Sequence, residues 1–362
     1  MSEAEAGSSL IALASSAPFP WQKALWERLV SAHREDRLAH AYLLAGPPGV
    51  GKRAFAQRFA ASLLCLEPDA RGHPCGHCGG CLLMRAGSHP DFSVLAPESG
   101  KTQIPIDAVR ELSASLDLAA HQGRYRVALI IPAEAMTPQS ANSLLKTLEE
   151  PGAGVILILV SDRPLAVLST LRSRCQRVDC PIPPENEVRG WLTADRQDSA
   201  LLARVLALSG GAPLQAQSLL NAETATRLER LGREVAQLLT GGADPLVIAA
   251  RWSIEEPPDF IGLWLVRLSE QVARQRVLGH LPESSLLALP TAQIQKALAR
   301  ADTQDVLMYH TFARQARLWL LQGTANRQGL LESLLVPWSM GLRGFSIRNP
   351  LQQEPWGEGA NV

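Results

Sequence analysis

Three segments of the chain are apolar at nearly every position. They are AYLLAG from Ala41, YRVALII from Tyr125 to Ile131, and GVILILVS from Gly154 to Ser161. Short runs rich in Val and Ile, without polar alternation, predict strands buried on both faces of a parallel sheet. Around them the apolar residues recur at helical spacing. WQKALWERLVSAHRED (Trp21 to Asp36), AFAQRFAASLLCL after the first strand, and PQSANSLLKTLEEPG each predict a helix, the last stopped by Pro151 and Gly152. Strand, glycine loop and helix, followed by more strands and helices, is a doubly wound α/β pattern.

That pattern ends at CPIPPENEV, Cys180 to Val188, where prolines interrupt it and Leu/Ala/Arg-rich helical sequence takes over. SGGAPLQAQSLL (Ser209 to Leu220) places a turn inside a short helical module, and QLLTGGADP (Gln237 to Pro245) resembles a second boundary. The expected organisation is an α/β domain over 1–182, a small helical domain over 183–224, an all-α domain over 225–347, and a polar Pro/Gly-bearing tail over 348–362 that reads as disordered. No fixed-period repeat is present.

The glycine loop carries chemistry. Gly46-Pro-Pro-Gly49-Val-Gly51-Lys52-Arg53 fits the phosphate-binding pattern G-x-x-x-x-G-K-[ST] except at its last position. Glycines let backbone N–H groups curl around phosphate oxygens and Lys52 supplies a point charge. Arg53 stands where a Ser or Thr hydroxyl would ligate Mg²⁺, and a guanidinium cannot ligate a metal. The strand RVALII runs into Ile131-Pro132 where an Asp-Glu pair would hold Mg²⁺ and orient water. Glu134 lies too far along to substitute without a shifted loop. Two lesions in one site argue against hydrolysis of the chain's own ATP.

Cys75-Gly-His-Cys78-Gly-Gly-Cys81 has the C-x-x-C-x-x-C spacing that wraps three thiolates around one tetrahedral metal. Cys65, at the end of the helix leaving the glycine loop, is the expected fourth ligand, with His73 and His77 as rivals. Four cysteines suit structural zinc, and a third cysteine among glycines speaks against a redox C-x-x-C. Cys175 and Cys180 read as plain buried thiols.

Composition narrows the partners. Among 362 residues, 35 basic and 35 acidic side chains leave a net charge of +0. Proteins that grip duplex DNA alone usually carry a basic excess, so protein partners come first. With 3 Tyr and 7 Phe there is no basic–aromatic stripe of a single-strand binder either, which counts against a zinc-dependent nucleic-acid binder. No run is long enough to span a bilayer, and the first residues lack a basic signal-peptide region, so a cytoplasmic protein without a membrane partner is expected.

GPPGVGK, the cysteine module, NSLLKTLEEP and LRSRC, in this order, resemble bacterial clamp-loader subunits of the AAA+ class. The resemblance is dense from about His40 to Cys180 and weak beyond. It implies an AAA+-like α/β domain with an inserted zinc module, a helical lid over 183–224 and a helical collar over 225–347. It further implies a hetero-pentameric ring with gamma/tau and delta subunits that loads the sliding clamp onto primed DNA as part of the replicative polymerase holoenzyme. Within that class, Arg174 of Ser173-Arg174-Cys175 is the arginine finger, reaching in trans into a neighbouring subunit's ATP. Ser161 stands at a polar sensor position, and Leu214 replaces a lid arginine. The expected role is a stator that is no enzyme by itself; the alternative is an active gamma-like ATPase.

Overall fold

In the computed structural model the described residues are 17–192, 199–278, 301–323 and 325–342. The first residues and the tail from 348 lie outside them. The chain divides into two compact units, Met1–Asp195 with Ala212–Gln215, and Arg196–Gly211 with Ala216–Val362. Residues 183–224, expected as a lid, are shared between the two.

The first unit is a five-stranded parallel sheet of β1 (Ala41–Ala45), β2 (Phe92–Leu95), β3 (Arg126–Ile130), β4 (Val155–Ser161) and β5 (Gln176–Asp179), in the order β2-β3-β4-β1-β5. Ala45 pairs with Ser161 across β1 and β4, and Ile130 with Leu159 across β3 and β4. Alternate residues feed opposite faces. Tyr42 and Leu44 pack with Trp26, Phe55 and Phe59 on one side. Leu43 and Ala45 pack with Ile104, Leu112 and Leu144 on the other. This two-sided burial is why β1, β3 and β4 are apolar at nearly every position, Arg126 and Ser161 being the exceptions.

β2 and β5 are the edge strands. Phe92–Leu95 is half-buried, and Gln176–Asp179 buries only Val178, so neither makes a continuous apolar run. The helices around the sheet are α1 (Lys23–Arg34), α2 (Lys52–Leu63), α3 (Gly79–Ala86), α4 (Ile106–Leu116), α5 (Pro138–Ser143), α6 (Leu145–Glu149), α7 (Ser169–Arg172) and α8 (Glu185–Leu192). Two expectations shift. The helix predicted from Trp21 begins at Lys23 after a 3₁₀ turn over Pro20–Gln22, because Trp21 and Gln22 turn toward the glycine loop. The helix predicted from Pro138 up to Pro151 breaks at the fully buried Leu144, whose N–H bonds the Ala141 carbonyl three residues back rather than four.

The second unit holds α9 (Ser199–Ser209), the end of α10 (Pro213–Leu219), α11 (Ala222–Leu239), α12 (Pro245–Glu255), α13 (Pro258–Leu278), α14 (Thr303–Gln322) and α15 (Arg327–Ser339). Asn221, Asp244 and Asn326 each cap a following helix through a side-chain oxygen. Trp252, Trp264 and Trp338 fill the core. Trp252 Nε1 donates to Glu234 at 2.5 Å and Trp338 Nε1 to the Tyr309 hydroxyl at 2.6 Å, so these two indoles are buried without an orphaned donor.

Candidate functional site

The glycine loop joins β1 to α2. Gly49 and Gly51 take φ of 78° and 88°, a region open to glycine at little cost. A Cβ on Gly46 would lie 2.0 Å from the Cys180 carbonyl oxygen, so β1 leaves the sheet hard against the chain beyond β5. Trp21 Nε1 and Gln22 Nε2 donate to the Val50 carbonyl at 3.0 and 3.2 Å, and Gln22 also reaches that of Gly51 at 3.0 Å. These two side chains fix the loop from α1's side. A cavity of about 450 Å³, lined by Trp21, Val50, Cys180 and Pro184, opens beside it.

Lys52 is buried, and both of its Nζ contacts are internal. It donates to the Pro47 carbonyl at 2.6 Å and pairs with Asp162 at 2.5 Å. Asp162 is a residue that sequence reasoning passed over, although a carboxylate directly after Ser161, at the end of an apolar strand, was a visible signal. Arg53 is exposed. Ile131 and Pro132, joined by a cis peptide, follow β3. Glu134 Oε1 accepts the N–H groups of Asp162 and Arg163 at 3.2 Å each. Through that oxygen Glu134 shapes the turn after β4, together with Ser161 Oγ accepting from Arg163 at 3.1 Å, while its Oε2 is buried without a partner. Leu214 is half-buried, and its N–H donates to the Gly49 carbonyl at 3.0 Å.

The thiols of Cys65, Cys75, Cys78 and Cys81 converge, with all four sulfurs within 4.8 Å of one another. Cys65 and Cys78 are 3.8 Å apart, and Cys75 and Cys81 3.9 Å. A tetrahedron with Zn–S bonds of ~2.3 Å has edges of about 3.8 Å, so the donor set fits zinc. The knuckle is held by N–H···S bonds: Cys75 to Cys65, Cys78 to Cys75, and Cys81 to Cys78, at 3.3–3.4 Å. Cys78 thereby also caps α3. A Cβ on Gly80 would lie 2.3 Å from the Leu64 carbonyl oxygen, which explains the glycine there. Burial pushes the Cys65 and Cys81 thiols up. At Cys78 burial acts the same way but is outweighed by N–H groups of Cys81 and Leu66 and by the neighbouring thiols, which bring it to about 6. A dication would offset the repulsion among four thiolates. Of the rival ligands, His73 is turned to Asp69 at 3.1 Å and stacked on Trp26, and the sulfur cluster does not include His77.

Arg174 follows α7. Cys175 beside it is buried, its thiol pushed up to about 11 by burial, and anchors the segment in the sheet's core. Cys180 is buried on the opposite face. The Arg174 Nε donates to Glu149 Oε1 at 2.8 Å, Nη2 lies 2.5 Å from the same oxygen, and Nη1 donates to the Thr170 carbonyl at 3.1 Å.

A parallel sheet in this order, a glycine loop opening the helix after β1, and a Ser-Arg-Cys segment just before the last strand define a P-loop ATPase-like module. A family model described as "DNA polymerase III, delta subunit" matches residues 21–183. DNA polymerase III subunit delta' of Pseudomonas aeruginosa is 38% identical over 324 residues, covering 89% of this chain and 97% of that protein. The Escherichia coli K12 delta' subunit is also 38% identical, over 69% of this chain and 74% of its own length. A Mycobacterium bovis gamma/tau subunit is 32% identical over 59% of this chain and 35% of its own. The chain belongs to the DNA polymerase III delta' family, clamp-loader components of DNA replication.

Proposed function

We propose that the chain is a stator of the clamp loader: it turns over no ATP of its own and completes a neighbour's ATP site through Arg174. The observation that carries this reading is the contrast between the two sites. In its own loop the Lys52 charge is answered internally by Asp162, Ile131 and Pro132 stand where metal-holding acids belong, and Glu134 Oε1 is engaged by the turn after β4. Arg174, by contrast, lies at the surface with N–H donors to spare. An arginine supplied in trans stabilises the charge that builds on a transferring phosphoryl group and can be worth up to about 10³–10⁵ in rate. The partners proposed are gamma/tau and delta subunits in a hetero-pentameric ring, with the sliding clamp and primed DNA reached through that complex. Cys65, Cys75, Cys78 and Cys81 would hold structural zinc, whose role is to fix the segment after α2. The setting proposed is the cytoplasm, where thiols stay reduced.

The purified chain should show no Mg²⁺-dependent ATPase. In a reconstituted complex, Arg174→Ala should assemble normally but slow hydrolysis at the adjoining subunit and impair clamp loading, whereas Arg172→Ala should behave like wild type. Clear turnover by the isolated chain would promote the gamma-like motor reading. Identical behaviour of the two arginine variants would remove the finger.

A further inference from the structure

The guanidinium of Arg174 is held from two separate elements. Glu149, the last residue of α6, takes Nε and Nη2 on one carboxylate oxygen at 2.8 and 2.5 Å, and the Thr170 carbonyl in α7 takes Nη1 at 3.1 Å. Three of the five N–H donors of an arginine are so engaged, and two remain for an external anion. A free arginine side chain samples many rotamers, and ordering it at the moment of reaction costs entropy. Here the carboxylate and the carbonyl meet that requirement before any neighbour arrives. The side-on use of one edge also decides which end of the fork faces outward.

We propose that Glu149 is a positioning residue for the finger, a role that rests on Arg174 acting in trans as set out above. Glu149 does not touch the neighbour's nucleotide; it orients the group that does. Its own carboxylate is half exposed, and Arg174 is 36% exposed. The pair is therefore screened by water, and its loss is worth roughly two- to fivefold in rate rather than the whole contribution of the finger. Glu150, the next residue, is also exposed, but no bond ties it to Arg174.

The test uses the reconstituted complex with P-loop lysine substitutions in every other ATP-binding subunit, so that only the site beside this chain turns over. kcat and KM for ATP are measured with Glu149→Ala, Glu149→Gln, Glu150→Ala, Arg174→Ala and the double variant Glu149→Ala/Arg174→Ala. Glu149→Ala should lower kcat about two- to fivefold with KM unchanged. Glu149→Gln, which keeps an acceptor oxygen, should recover part of the loss, and Glu150→Ala should match wild type. On the Arg174→Ala background Glu149→Ala should change nothing further, the non-additivity expected of residues acting as a unit. An unchanged or raised kcat in Glu149→Ala, beside a defective Arg174→Ala, overturns the positioning role and leaves the finger standing. An equal loss on both backgrounds assigns Glu149 to packing and overturns the role as well. A silent Arg174→Ala overturns the finger itself.

Discussion

Asp162→Asn is the most direct probe of the proposal that this loop is not an ordinary nucleotide site. The Lys52 ammonium is 3% exposed and meets Asp162 at 2.5 Å, while the Asp162 side chain is 45% exposed. An incoming phosphate must displace that carboxylate and then sit beside its negative charge. A hydrogen bond to a charged group contributes up to ~3 kcal/mol. Water shares the half-exposed carboxylate, which reduces the figure to ~1–2 kcal/mol. Asparagine keeps the size and one acceptor but removes the charge, so the barrier falls by that amount. Affinity for ATP should then rise about 5- to 30-fold. Hydrolysis should not appear, because Ile131 and Pro132 still offer no acid for Mg²⁺. The measurement is titration calorimetry of wild type and variant with ATP, with and without Mg²⁺, next to a turnover assay. If wild type already binds ATP as tightly as the variant, the carboxylate is not what guards the loop. If the variant gains turnover, the account of the missing acids fails too.

Three further outcomes are expected. The purified protein should carry one zinc per chain, and chelation should expose Cys65, Cys75, Cys78 and Cys81 to alkylation while the sheet survives; zinc binding in small modules is worth ~10–16 kcal/mol. Metal analysis without zinc would contradict the assignment. Gly46→Ala should destabilise the α/β unit by ~2–4 kcal/mol, since its Cβ would strike a backbone carbonyl at 2.0 Å, whereas Gly190→Ala in α8, with open space around it, should be neutral or slightly stabilising. Equal melting temperatures for these two variants would refute the close approach. His33, His89 and His310 are all held below their ordinary range, by burial first. The unfolded chain takes up these protons at about pH 6.5 while the folded chain resists, so their stabilisation is present above that pH and is lost as pH falls below it. Calorimetric scans from about pH 7.5 to about pH 5.5 should show it, and a flat profile would exclude the effect.

Much of this protein can be read from residue order alone. β1, β3 and β4 are apolar at nearly every position because neighbours cover both their faces. The spacing of Cys75, Cys78 and Cys81 is one that a local turn can wrap round a single metal. The glycine loop needs Gly49 and Gly51 for its positive φ angles, a local demand that shows in the sequence. The edge strands are different. Gln176–Asp179 becomes a strand because β1 lends it hydrogen bonds, so its own polarity hides it. Long-range pairing also decides the electrostatics of the site. Lys52 and Asp162 are 110 positions apart in number and meet only because β1 lies beside β4. Glu134 acquires its task from the same sheet order, which sets the end of β3 beside the turn after β4. Glu149 and Arg174 meet where α6 and α7 come together on one side of the sheet. Local patterns encode which backbone shapes are possible, but a charge finds its partner only when the sheet closes, since that is when the distance between them is set.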